Sequence, residues 1–267
     1  MRNLCFIIAL LSIQLLYAQT EADREKYPLY HDARTDELRP ALKKLVAYEP
    51  YISNNELKKH IENLDEKITR YNIGNYVDDF KFFLTLDITE DFLEKKFSNL
   101  RRHDDVWNIK HIAAHALADY YLSAGEYDQA VEYYKKSVFD YRLIVASSGT
   151  TLTKDIERCI FDIANTYYKA GKKDQSYAYL IALIVESQNY SHGDRLSEYL
   201  EKDKADKKKL KTDIDKALKT IKKGKDGTYV IIFRGHEAIF FPFVMGSTSP
   251  QKLAEKMKNS DFYKELN

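Results

Sequence analysis

The sequence predicts a mainly α-helical protein, a helix-turn-helix repeat array with a small C-terminal β-hairpin plus helix. Three observations predict it. Apolar residues recur three and four apart over long stretches. Only 9 glycines and 5 prolines punctuate 267 residues, so few positions force the chain to turn. A pattern closing on a turn glycine occurs twice at one fixed offset.

Composition narrows the function classes. Lys+Arg is 42 against 41 Asp+Glu, a net charge of +1, which excludes a globally basic nucleic-acid binder and a polyacidic tail. With 44% hydrophobic and 31% charged residues, the chain has enough apolar content for a packed core and is not globally disordered.

Met1-Arg2-Asn3 is a short positive start, and Leu4 to Leu16 is apolar except for Ser12 and Gln14. Tyr17-Ala18 and the polar Gln19 to Asp23 follow, so residues 1–18 read as a secretory signal peptide cut after Ala18. The apolar run is well short of the roughly 20 residues of a membrane-spanning helix. Cys5 opens that run instead of closing it, which argues against lipidation. Cleavage removes Cys5 and leaves Cys159 alone, excluding an intrachain disulfide and any zinc site needing two cysteines of this chain. The expected product is soluble and secreted or periplasmic.

Residues 19–35 carry mixed charge and Pro28 and read as a flexible lead-in; residues 36–110 read as an N-terminal helical region. Leu38, Leu42 and Leu45 mark a helix ending before Pro50, with Pro40 tolerable only in its first turn. Ser53-Asn54-Asn55-Glu56 matches a capping box. Behind it Leu57, Ile61, Leu64, Ile68 and Tyr71 predict an amphipathic helix of about five turns, broken by Gly74. Tyr76 to Leu86 is too dense in apolar residues to show a period, and Phe92, Leu93, Phe97 and Leu100 give a further short helix.

Residues 111–190 carry the repeat. Leu117 to Ala130 (LADYYLSAGEYDQA) and Ile163 to Ser176 (IANTYYKAGKKDQS) share Ala118/Ala164, Tyr121/Tyr167, Ala124/Ala170, Gly125/Gly171, Asp128/Asp174 and Gln129/Gln175 at an offset of 46. Each unit reads as helix, turn at the glycine, helix. Small Ala118 and Ala130 allow close backbone approach, and Tyr121 and Tyr134 fill the space around them. One such hairpin cannot bury its apolar face alone, so neighbours must stack on it. No third copy is evident.

This pattern of small residue, aromatic, turn glycine, small residue and aromatic resembles the tetratricopeptide repeat family, well over Ile112 to Val138 and fairly over Arg158 to Ile184. The chain departs from the family in three ways. Ala114 stands where tryptophan is common, the closing proline is missing, and about 12 extra residues around Val145 to Thr153 separate the units. The resemblance implies a concave groove along the first helices that holds a protein or peptide. By position that groove is lined by Ile112, His115, Asp119, Leu122 and Ser123, then Arg158, Phe161, Asn165, Tyr168 and Lys169. Its binding residues are expected to be His115, Asp119, Arg158, Phe161, Asn165, Tyr168 and Lys169.

Residues 191–225 form a lysine-rich helical segment. Leu210, Ile214, Ala217/Leu218 and Ile221 make one stripe, and the expected helix runs through Lys202–Lys225 to Gly224 and Gly227. It reads as a solvated face or as a docking face for anionic surfaces. It has no arginine and no interleaved aromatics to stack bases, so no nucleic-acid partner is implied. In residues 226–267, TYVIIF (Thr228 to Phe233) and AIFFPFV (Ala238 to Val244) predict a β-hairpin turning at Gly235, with Pro242 suited to an edge. Ser249-Pro250 starts a last helix carrying Leu253, Met257, Phe262 and Leu266.

Candidate chemistry is sparse. His111 and His115 are four apart on a predicted helix and can reach one ion, with Asp119 a turn further on. No additional ligand is identifiable, so neither a metal site nor a cofactor is assigned. His103-Asp104-Asp105 reads as a charged helix end, and His236-Glu237 as an acid/base pair only if geometry brings the groups together. Cys159 reads as a small core residue. Phosphate loops, nucleophile elbows and dinucleotide fingerprints are missing. The expected function is a non-enzymatic protein-protein interaction module of the cell envelope or exterior: a scaffold, an assembly factor or a neutralising partner. The alternatives are a hydrolase or metal-dependent enzyme using His111/His115 or His236, and an envelope-associated protein held by the Lys202–Lys225 helix.

Overall fold

The computed structural model describes residues 38–47, 49–64, 73–88, 104–141, 149–186, 190–225, 227–241 and 249–266. The signal-peptide, lead-in, Phe92–Leu100 and Pro242 readings lie outside these residues. The described chain is mainly helical, with a small antiparallel sheet near its C-terminus. Among the described residues no helix is long and apolar enough to cross a membrane.

Helices α1 (Leu38–Val46), α2 (Glu49–Ile52), α3 (Asn55–Asn63) and α4 (Val77–Thr85) make the N-terminal part, with a 3₁₀ turn at Ile73–Tyr76 before α4. Pro40 sits in the first turn of α1, where its missing N–H is harmless. The cap of α3 falls one residue later than the expected serine. Asn54 Oδ1 accepts from Leu57 N at 2.8 Å, and Glu56 lies in the first turn. The helix is also shorter than expected, because Leu64 turns extended (φ −70°, ψ 122°) and ends it. The dense Tyr76–Leu86 run is helical, burying Phe80 and Phe83.

Helix α5 (Asp104–Ser123) follows, covered by α1 and α4. It pairs with α6 (Tyr127–Lys135), which runs into one π-helical turn at Lys136–Asp140. Helices α7 (Gly149–Lys169) and α8 (Lys173–Glu186) make the second hairpin, with α6 packed on α7. Part of the extra length between the units is thus the first turn and a half of α7. Gly125 (φ +77°) and Gly171 (φ +73°) take the left-handed conformation that ends each first helix. The bonds match: Glu126 N to Tyr121 O at 2.9 Å with Gly125 N to Leu122 O at 3.2 Å, then Lys172 N to Tyr167 O at 2.9 Å with Gly171 N to Tyr168 O at 3.0 Å.

The same turn occurs a third time, where none was expected. Helix α9 (Tyr190–Lys202) ends with Lys204 at φ +50°, Ala205 N bonding Leu200 O at 2.9 Å and Lys204 N bonding Glu201 O at 3.1 Å. The expected helix across Lys202–Lys225 is therefore interrupted. Its helical part, α10, covers only Lys207–Leu218, capped by Asp206, and Lys222–Lys223 form strand β1.

The sheet has the order β1-β2-β3, with β2 at Tyr229–Phe233 and β3 at His236–Phe240. Its hairpin turns on Arg234-Gly235, both at positive φ, which matches the twist of the flanking strands. The partner β1 was not expected. The face with Tyr229, Ile231, Phe233, Ala238 and Phe240 is buried, and α8 packs against both β2 and β3 while α10 packs on β2. This explains how α8 can be buried on every side from Ser176 to Glu186. Helix α11 (Pro250–Asn259), capped by Ser249, also packs on α8. The last helix is broken at Ser260, which caps the short α12 (Asp261–Lys264) through its Oγ.

Candidate functional site

Helices α5, α7 and α9 meet along a buried polar seam. Between α5 and α7 it holds His111, His115, Arg158, Cys159 and Asp162, all at most 5% exposed. The spacing of four puts both histidines on the α5 face that meets α7. His111 Nδ1 donates to the Ser137 carbonyl at 2.8 Å, in the π-helical turn. A carbonyl only accepts, so the proton of neutral His111 is on Nδ1 and the lone pair on Nε2. His115 Nδ1 lies 3.5 Å from Arg158 Nη2, and its Nε2 lies 3.7 Å from Asp162 and 3.9 Å from Asp119. Asp119 accepts from the Tyr134 hydroxyl at 2.5 Å. Burial pushes the Asp119 carboxyl up, against the pull of His115 and Tyr134. Cys159 brings its sulfur to the histidine pair: the ligand atoms of His111, His115 and Cys159 all lie within 4.8 Å of one another.

Between α7 and α9 the seam continues. Glu157 pairs with His192 Nε2 at 2.6 Å, the Phe161 ring lies against His192 and Arg195, and Tyr199 donates to Asn165 Oδ1 at 2.7 Å. The Tyr168 ring stacks on Tyr199 with centroids 3.5 Å apart. At the outer end Asp203 receives Lys173, Tyr177 and Tyr168. Burial works against its charge, but these hydrogen bonds hold its carboxyl below the ordinary range.

The groove residues expected from sequence therefore have a different setting. His115, Arg158, Phe161 and Asn165 are buried, Asp119 and Tyr168 are half-buried, and Lys169 alone of the seven is exposed. His115 faces α7, Asp119 lies beside His115 and takes the Tyr134 hydroxyl of α6, and Phe161, Asn165 and Tyr168 lie under α9. An open first-helix groove at these positions is thus filled by the next helix of the same chain.

His236 and Glu237 are successive residues of β3, so their side chains point to opposite faces and make no acid/base pair. His103 and the side chains of Asp104 and Asp105 lie outside the described residues. Sequence reasoning missed Cys159, Ser137 and Asp162 as neighbours of the histidine pair. Residues 156–166 of α7 are buried without a break, so no apolar period singles out Cys159 or Asp162.

No protein-family model, curated protein or solved structure matches this chain.

Proposed function

We propose that this protein is a non-enzymatic, tetratricopeptide-like interaction module of the cell envelope or exterior. Its working surface on this reading is the lysine-rich face of α10 and β1, and its partner an acidic segment of another protein. Three hairpin turns of one geometry, at Gly125, Gly171 and Lys204, support the repeat reading.

One observation carries the choice of surface. The acids of α10 and its cap are engaged within the chain, while the lysines point outward. Asp206 caps Lys209 N at 3.0 Å, Asp213 holds Arg234 Nε at 2.9 Å, and Asp215 accepts from the Tyr263 hydroxyl at 2.6 Å. Lys207, Lys208, Lys209, Lys219, Lys222, Lys223 and Lys225 are all exposed. Such a face attracts anions strongly at low ionic strength. The apolar stripe of α10, Leu210, Ile214, Ala217 and Leu218, is buried and has nothing to insert into a bilayer. That favours an acidic protein segment over a lipid surface. The hydrolase reading keeps no acid/base couple at His236, and His111 and His115 are sealed inside the seam.

The test is capture from the protein's own envelope fraction by the immobilised chain and by a Lys208→Glu/Lys219→Glu/Lys223→Glu variant. A defined protein lost in the variant, and released by raised salt, supports the reading. Equal capture by both chains refutes this face. Binding to anionic vesicles with no protein captured would replace the acidic segment by lipid.

A further inference from the structure

We propose that His111, His115 and Cys159 form a buried three-ligand site for a soft transition-metal cation, and that monovalent copper is the ion it fits. All three side chains are at most 3% exposed, and their ligand atoms lie within 4.8 Å of one another. In a formed trigonal site with bonds of about 2.0–2.3 Å, ligand atoms stand roughly 3.5–4 Å apart. Closing the remaining gap takes about an ångström, within the reach of side-chain rotation.

His111 is already oriented as a ligand. Its Nδ1–H is tied to the Ser137 carbonyl, which leaves the Nε2 lone pair as the donor. Outer hydrogen bonds of this kind fix the tautomer and ring direction of metal-bound histidines. The accepting carbonyl belongs to the π-helical turn, a widened geometry often found at functional positions. His115 follows one helical turn later on the same face, and Cys159 comes from the facing helix α7.

The choice of ion follows from charge and softness. Thiolate and imidazole donors suit copper and zinc. Two neutral imidazoles and one thiolate carry a single negative charge, so a monovalent ion leaves the site neutral. That matters in a sealed interior, where uncompensated charge is costly. Zinc would call for a fourth ligand, which the trio does not supply. Monovalent copper is satisfied by three. Binding displaces the thiol proton of Cys159 to solvent.

The experiment uses the full chain carrying Cys5→Ser, so that Cys159 is its one thiol. Monovalent copper is added under reducing, anaerobic conditions in competition with the chromogenic chelator bicinchoninate. The expected result is one copper per chain, with Cys159→Ser and His115→Gln each weakening retention by about 100-fold or more. X-ray absorption of the loaded parent chain should show one sulfur and two nitrogen neighbours. Copper held equally by Cys159→Ser, or a copper spectrum without sulfur, overturns the site. Zinc displacing copper from the parent chain overturns the choice of ion. The absorption spectrum needs only the parent chain, so it decides the matter even where a seam variant fails to fold.

Discussion

Replacing Glu186 by glutamine should stabilise this protein, by an amount that grows with pH. Glu186 ends α8 with its side chain fully buried, and among the described residues no hydrogen bond reaches either carboxylate oxygen. Burial holds its carboxyl well above the ordinary range, Glu157 on α7 adds to the rise, and Lys256 on α11 opposes it. The Lys256 ammonium, itself pushed down by burial, donates to the Glu186 backbone carbonyl. Glu157 is engaged by His192 on α9. The folded chain therefore keeps a proton on Glu186 after the unfolded chain has lost it. Stability contributed by that proton is full below about 4.5, where the unfolded carboxyl titrates, and is lost as pH rises toward the folded value. One proton corresponds to about 1.4 kcal/mol per pH unit over that window. Glutamine has nearly the same volume and no titrating proton, so its profile lacks this slope. Urea unfolding of both chains at pH 5, 6 and 7 measures it. The advantage of Glu186→Gln should widen by about 1.4 kcal/mol with each pH unit until the folded carboxyl ionises. Parallel stability profiles for the two chains would refute the reading that Glu186 is held protonated.

Three further outcomes are expected from the same unfolding measurement at constant pH. At Gly171 a Cβ would meet nothing within 4 Å, so Gly171→Ala is free of clash and should cost only the left-handed strain, about 1 kcal/mol; Lys204→Gly relieves that strain and should be neutral to stabilising by up to about 1 kcal/mol. Removing the Tyr199 hydroxyl, with its 2.7 Å bond to buried Asn165, should make Tyr199→Phe less stable by about 1–2 kcal/mol, and an unchanged midpoint would show that this part of the seam contributes nothing.

The hairpins were legible because their cues are local. Gly125 and Gly171 occupy left-handed positions, small alanines precede them, and the tyrosines recur at the same offset. The third turn was hidden because its left-handed residue is Lys204, which no turn signal marks, and because α9 departs from the repeated residues. The lysine run concealed a helix end for a related reason. Lysine is a good helix former, and only the bonding around Lys204 and the cap at Asp206 reveal the break. At the C-terminus the Arg234-Gly235 turn was readable, whereas β1 is two lysines with no strand propensity, held by pairing to β2. Cys159 was assigned to the core, where it is. That it meets His111 and His115 depends on the rotation of α7 against α5, which no local pattern states.

The seam gives a physical reason for that rotation. A helix interface made only of leucine and alanine tolerates a slip of one turn, because one apolar contact replaces another. Here polar groups are matched across each step: His115 with Arg158 and Asp162, Glu157 with His192, Asn165 with Tyr199. A slip of one turn moves a side chain about 5.4 Å along the axis, beyond hydrogen-bond reach. Each buried group stranded in this way costs about 1–3 kcal/mol. A slip of α7 against both its neighbours would lose all three pairings, a cost comparable with the whole stability of a domain of this kind. The polar residues that resemble a binding groove in the sequence thus set which first helix follows which, and at what register. Residues committed to that task cannot also meet a partner, so the proposed recognition is assigned to side chains the packing leaves outside, above all the exposed lysines of α10 and β1.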